Sequence, residues 1–238
     1  MSFKNSSQVR VYIGAFAVGP ELTQVSTGMQ VEALDSTTIT QVADRTTAGL
    51  RNDEVTVAGI FDSGTTGLHQ AVAGNIGGTA QFITAYGSAT GAIAYAGTAL
   101  LTRWAPESQV SDLVRQEASI SVDGTVQRGT MLAIEVAGPT STGGDVDLIA
   151  PSTANGTVYF VVTDMTGSGK LFLQQSTGGN GTGYTSVGTF VLASGTVQAT
   201  AIASTGSAGT MFRYARFQGS GTGTPTVTAM LVRPGATY

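Results

Sequence analysis

Along most of the chain, apolar and polar residues alternate with a period of two, the spacing that sends one set of side chains to one face of a β-strand. From Val9 to Val18, the residues Val9, Val11, Ile13, Ala15 and Ala17 share a face, with Arg10, Tyr12 and Phe16 on the other. From Glu54 to Phe61, Val55, Val57 and Phe61 stand opposite Glu54 and Thr56. Each run predicts a strand with one buried face. Glu117 to Val122 alternates again, with Ala118, Ile120 and Val122 inward, and leads through Asp123-Gly124 into Thr125-Val126-Gln127-Arg128. An Asp-Gly pair between two such runs predicts a two-residue hairpin, because a type I′ turn needs positive φ at both central positions.

Two stretches fit a helical period instead. Thr65 to Asn75 brings Leu68, Ala71 and Val72 onto one face, with Thr66 as N-cap and Gly74 as stop. Pro106 to Val114 groups Val110, Leu113 and Val114, but fits equally a loop leading into a strand. One short helix is expected. In the second half short apolar runs recur at Val158–Thr163, Leu171–Gln175, Tyr184–Phe190, Met211–Gln218 and Val227–Val232, separated by Gly/Ser/Thr turns such as 178–183. That rhythm predicts a β-sandwich. Between the halves, Ala137-Gly138-Pro139-Thr140-Ser141-Thr142-Gly143-Gly144 carries turn formers without a hydrophobic period and reads as a linker. The expected organisation is a domain over 1–137, a linker over 138–150 and a second, small β-sandwich domain over 151–238. No internal repeat relates the two.

Composition changes this picture in one respect. Hydrophobic residues make up 41% of the 238, enough for a packed core, but charged residues only 11%, against about 25% in ordinary soluble domains. A surface so poor in charge is poorly solvated in a monomer, and burial against further copies relieves it. The charge is also uneven. Residues 1–140 hold 12 acidic and 7 basic groups, net −5, whereas residues 141–238 hold 3 acidic and 4 basic, net +1. Glycine, 33 residues in all, is denser in the second part.

The residues that carry chemistry are few. There is no cysteine, hence no disulfide and no thiolate ligand or nucleophile. His69 is the one histidine, without the partners a catalytic base needs, and reads as a solvent-facing helical residue. Asp35, Asp44, Asp53, Glu54 and Asp62 lack the spacing of a calcium loop. Gly167-Ser168-Gly169-Lys170 resembles the end of a phosphate-binding loop, but Leu171 stands where the magnesium-binding hydroxyl belongs. Gly219-Ser220-Gly221-Thr222-Gly223 has no helix after it. Both read as turns. An acidic chain of pI near 4.8 lacks the basic stripe of a nucleic-acid binder. No catalytic, cofactor or metal site is expected. No apolar run reaches the roughly 18 residues of a membrane span, and Met1–Ser7 has no signal-peptide core, so synthesis and assembly in a cytoplasm are expected. In that compartment the Asn-x-Ser/Thr triplets at Asn5, Asn155 and Asn180 carry no glycan.

The run Ala43-Asp44-Arg45-Thr46-Thr47-Ala48-Gly49-Leu50-Arg51-Asn52-Asp53-Glu54-Val55-Thr56-Val57-Ala58-Gly59-Ile60-Phe61-Asp62 resembles the major tail (tail tube) proteins of long-tailed, non-contractile bacteriophages, in which a Gly-Leu near acidic residues precedes a strand ending Gly-x-Phe-Asp. Ala94-Tyr95-Ala96-Gly97-Thr98-Ala99-Leu100-Leu101, then 106–114, then Val126-Gln127-Arg128-Gly129 follow in the same order, so the resemblance covers most of residues 8–135. Residues 156–233, with Leu171–Ser176 and Met211–Phe217, are similar to the β-sandwich modules appended to phage structural proteins and to related carbohydrate-binding sandwiches.

The resemblance implies an all-β fold of the tail-tube type, two packed sheets with one short helix, followed by the small outer sandwich. It implies a virion protein that forms hexameric rings, stacked into a tube through which genomic DNA passes during ejection. Its partners would be itself, the tape-measure, tail-terminator and tail-tip proteins, and DNA that transits without specific binding. A cell-surface glycan is a further candidate partner for the C-terminal domain, through the aromatic residues Tyr159, Phe172, Tyr184, Phe190, Phe212, Tyr214 and Phe217. The Thr-rich, charged segment from Asp35 to Asp53 is expected as a loop, and Asp35, Asp44, Arg45, Arg51, Asp53, Glu54 and Asp62 are the candidate residues for contacts between subunits or rings. A capsid decoration or baseplate protein, and a carbohydrate-binding adhesin, are the competing expectations.

Overall fold

The alternation of the sequence becomes fourteen strands and one α-helix among the residues described by the computed structural model, which are 8–36, 46–61, 67–108, 113–137, 145–148, 156–164, 167–178, 183–192, 198–203, 213–221 and 225–233. In chain order these are β1 (Val9–Ile13), β2 (Phe16–Ala17), β3 (Leu22–Asp35), β4 (Thr46–Ile60), α1 (Leu68–Val72), β5 (Thr79–Tyr86), β6 (Ile93–Glu107), β7 (Arg115–Ala137), β8 (Val146–Asp147), β9 (Thr157–Asp164), β10 (Gly169–Ser176), β11 (Thr185–Leu192), β12 (Gln198–Ala203), β13 (Tyr214–Gly221) and β14 (Thr226–Val232). The expected all-β class, with two sheets and one short helix, is what the chain forms. The sequence expected to link the halves at 138–144 lies outside the described residues, as do the turn at 179–182 and residues 109–112 of the second helical stretch.

The chain folds as two compact units. The first gathers Met1–Pro20, Gln81–Ala96 and Gln127–Tyr238. Its larger sheet runs β12-β9-β14-β7-β6-β5-β1-β2, and its smaller one β11-β10-β13-β8. Leu132, Val158, Phe160, Val162, Val227 and Leu231 from the large sheet pack against Val146, Leu171, Leu173, Val187 and Ala215 from the small one and Leu148 just after β8. The opposite face of the large sheet is buried too, with Tyr159, Val161 and Met230 meeting Tyr12, Ile83 and Ala94. Strands buried on both faces read as nearly continuous apolar runs, and Val158-Tyr159-Phe160-Val161-Val162 is such a run. Tyr12, placed by alternation on a polar face, is fully buried for the same reason. Its hydroxyl donates to Glu135 Oε1 at 3.1 Å.

The second unit comprises Glu21–Ala80 and Gly97–Val126. β3 pairs with β4, and β4 with the start of β7, from Ile60↔Arg115 to Glu54↔Ser121. Val55, Val57, Ala118 and Ile120 are buried, as their alternation requires. Helix α1 buries Leu68, Ala71 and Val72. Thr66 lies outside the described residues, and Gly67 occupies the N-cap. The cap is supplied from a distance: Leu68 N–H donates to Glu21 Oε2 at 3.2 Å, and a Cβ on Gly67 would overlap that carboxylate.

The Asp123-Gly124 hairpin does not form. β7 continues through both residues as one strand. Gly124 has φ 91, but Asp123 is not among the non-glycine residues with positive φ, so the type I′ requirement fails. Gly124 is a single positive-φ residue inside a continuous strand, not half of a reversal. The pairing of β4 with β7 ends just before it, at Ser121.

Candidate functional site

The segment expected as a loop between Asp35 and Asp53 is strand from Thr46 onward, because β3 supplies it with a ladder from Leu22↔Gly59 to Asp35↔Thr46. Residues 37–45 lie outside the described residues. Near its base the β3–β4 pair is a sheet with β7 as third strand. Beyond Glu54 it is a two-stranded ribbon among the described residues.

Side chains two apart share a face, and the two faces of this ribbon differ. One carries Val25, Thr27, Met29 and Val31 of β3 opposite Val57, Val55, Asp53 and Arg51 of β4. It begins in the core at Val55 and Val57 and emerges into solvent at Met29 and Val31, which are 50% and 54% exposed. The other face carries Ser26, Gly28 and Gln30 with Thr56, Glu54 and Asn52, which line one shallow trough. Ser119 and Ser121 of β7 extend that face beside Thr56 and Glu54. Further out, the register shifts between Val31 and Ala33, opposite the irregular stretch at Gly49 and Leu50. Leu34 fills the place a side chain at Gly49 would take. Leu34 itself is 45% exposed and Leu50 81%.

At the root of the ribbon lies an ion pair. Arg51 Nε donates to Asp53 Oδ2 at 2.7 Å. The same oxygen accepts the Val126 N–H at 2.8 Å, and Arg51 Nη2 reaches the Val126 carbonyl at 3.5 Å. Asp53 is 1% exposed. Burial pushes its carboxyl pKa up, but the Arg51 hydrogen bond, the Val126 N–H and the Arg51 charge outweigh burial and hold it below the ordinary value of 3.8.

Of the seven candidate residues, Arg51, Asp53, Glu54 and Asp35 stand on the ribbon, and the structure brings Arg51 and Asp53 together. Glu54 faces the polar side, opposite Gly28 and Ser121. Asp35 closes the ladder at Thr46. Asp44, Arg45 and Asp62 lie outside the described residues. The sequence reading missed Met29, Val31, Leu34 and Leu50. The signal available was apolar residues persisting in a segment too polar to be core.

Elsewhere the chemistry is sparse. Among the described residues no group of three or more His, Cys, Asp or Glu is placed to hold a metal. His69 is half-buried, with its ring 5.4 Å from Phe61 and 5.0 Å from Trp104, centroid to centroid. Of the aromatic residues considered for glycan contact, Tyr159 is buried, Phe190 packs edge-on against Phe160 at 4.3 Å, and Tyr184 stacks under Arg216 at 3.9 Å. Phe172 and Tyr214 are half-buried, and Phe212 and the Phe217 side chain lie outside the description.

No protein-family model and no curated protein matches the chain. Among solved structures it is similar to the virion of a native gene transfer agent particle, at 13% identity over 53% of this chain and 98% of that one, with a TM-score of 0.45. It is similar also to the SPP1 tail tube, at 14% identity over 53% and 78%, TM-score 0.43. The SPP1 Dit protein, of a hub adsorption apparatus, matches over 94% of this chain and 98% of its own, at 11% identity and TM-score 0.37.

Proposed function

We propose that the chain is a structural subunit that joins copies of itself through the β3–β4 ribbon into closed, hexameric rings, and that the rings stack as the tail tube of a long-tailed phage. The observation that carries this reading is the ribbon. A two-stranded ribbon alone in water is marginal, and this one holds Met29, Val31, Leu34 and Leu50 in solvent beyond its third strand. Apolar side chains on an open strand edge are an association surface unless something guards them. In the second unit β3 has no described neighbour besides β4, and β6 runs on beyond the Leu101–Gly78 hydrogen bond to Glu107. Two different edges on one sheet fit a heterologous, head-to-tail contact, which closes into a ring when the rotation allows.

The polar face of the same sheet suits a channel wall. Ser26, Gln30, Asn52, Thr56, Ser119 and Ser121 are neutral, and Glu54 adds a negative charge. The cations beside this face are few, and Arg103 is paired with Glu117 at 3.2 Å, so such a wall holds phosphates weakly and DNA passes through. Tape-measure and terminator proteins would meet the tube at its lumen and end, and the protein would reside in the virion tail.

Negative-stain electron microscopy of the purified chain tests the reading. Rings or stacked cylinders with an axial hole are expected. A protein that stays monomeric at high concentration, with no cylinder built from it in the particle, overturns it.

A further inference from the structure

The ribbon leaves the sheet where its pairing with β7 ends, and something other than the backbone ladder must hold its direction. After Ser121 the β4–β7 pairing stops, and Gly124 takes φ 91. Val126 then returns beside β4, and side chains bond both of its polar backbone groups. Its N–H donates to Asp53 Oδ2 at 2.8 Å, and its carbonyl accepts from Arg51 Nη2 at 3.5 Å. Arg51 and Asp53, two apart on β4, point to the same face and bond each other at 2.7 Å. The pair does for Val126 what another rung of the ladder would do.

We propose that Arg51 and Asp53 form a clasp that sets the angle at which the β3–β4 ribbon leaves the sheet, and so position it for association with the next copy. This rests on the reading of the ribbon as the assembly surface. Asp53 is sealed from water while the Arg51 side chain is 35% exposed, so loss of the arginine strands a buried carboxylate. Beyond the clasp no further strand pairs with β3 or β4 among the described residues, so an unclasped ribbon swings as a unit. The apolar side chains that must meet a neighbour in register are then presented over a range of angles, and ring closure becomes rare.

The test is hydrogen exchange of the ribbon amides, 29–35 and 46–52, alongside the concentration at which assembly begins, for wild type, Asp53→Asn and Arg51→Met. Arg51→Met keeps the Asp53 bond to Val126 and covers the case in which Asp53→Asn fails to fold. For at least one folded variant, ribbon exchange is expected to rise about tenfold or more while Phe82–Ala85 and Val158–Val162 stay protected. The onset concentration of assembly is expected to rise by a similar factor. Unchanged exchange and onset in both variants overturn the clasp. If wild type itself builds no rings, the assembly reading falls, and the exchange data alone decide whether the pair orders the ribbon.

Discussion

Gln116 shows how one neutral side chain ties the second unit together. Buried at the start of β7, it donates Nε2 to the Ile60 carbonyl at 3.0 Å and to Glu21 Oε2 at 3.3 Å, and accepts from Trp104 Nε1 at 3.3 Å. Gln116→Leu leaves those groups without their partner, at a cost of about 2–4 kcal/mol. A lower urea midpoint is expected with Trp104, the one tryptophan, as fluorescent probe; an unchanged midpoint would remove the network from the account. Asp53 adds a pH dependence. Its folded pKa lies below 3.8, so its contribution is complete above that pH and is lost as pH falls through the folded value. The difference in urea midpoint between wild type and Asp53→Asn is therefore expected to narrow from pH 6 to pH 2, and a constant difference contradicts the assignment. Arg51 and Asp53 were legible as charges worth naming. Their pairing was not, because two residues apart share a face only in a strand and the segment reads as a loop. The partial burial of His69 was not legible for a related reason: helical spacing identifies the buried face of α1, but Phe61 and Trp104 come from just after β4 and from β6.

Elements with a buried face were the legible ones. β9, β10 and β14 fall within a few residues of the runs that predict them, and α1 buries the three residues its period selects. β3 was not legible. Much of Leu22–Asp35 is exposed, and a strand held by its neighbour's backbone needs no apolar alternation. Asp123-Gly124 misled because a glycine at positive φ also occurs inside a continuous strand, and only the geometry of the residue before it separates this from a hairpin. The exposed half of the ribbon yields its own prediction. Val31→Asp and Leu50→Asp alter side chains that are mostly in solvent, so each changes monomer stability by no more than about 0.5 kcal/mol. Both are expected to keep the chain monomeric in sedimentation velocity under conditions where wild type assembles. Assembly of both variants at wild-type concentration would show that the ribbon is not the contact.

At the scale of the whole molecule, scarcity of charge is the property that the fold explains best. A sheet face built of Ser26, Gln30, Asn52, Thr56, Ser119 and Ser121 is hydrophilic with few ionic groups. Of its neighbouring carboxylates, Glu117 is paired with Arg103 at 3.2 Å, while no cation stands within salt-bridge distance of Glu54 among the described residues. Glu54 therefore adds unpaired negative charge to this face, which repetition around a ring would multiply. Glu54→Lys reverses that sign in every copy without entering the core or the ladder. Assembled wild-type tubes are expected to leave short duplex DNA free at low ionic strength. Tubes of Glu54→Lys are expected to retain it and to release it as salt rises, since each phosphate neutralised contributes close to one power of salt concentration to the affinity. Glu54→Gln should fall between them. Retention that is absent in the lysine variant, or present without salt dependence, would mean that this face is turned away from the DNA, and the channel wall would have to be sought on another surface of the chain.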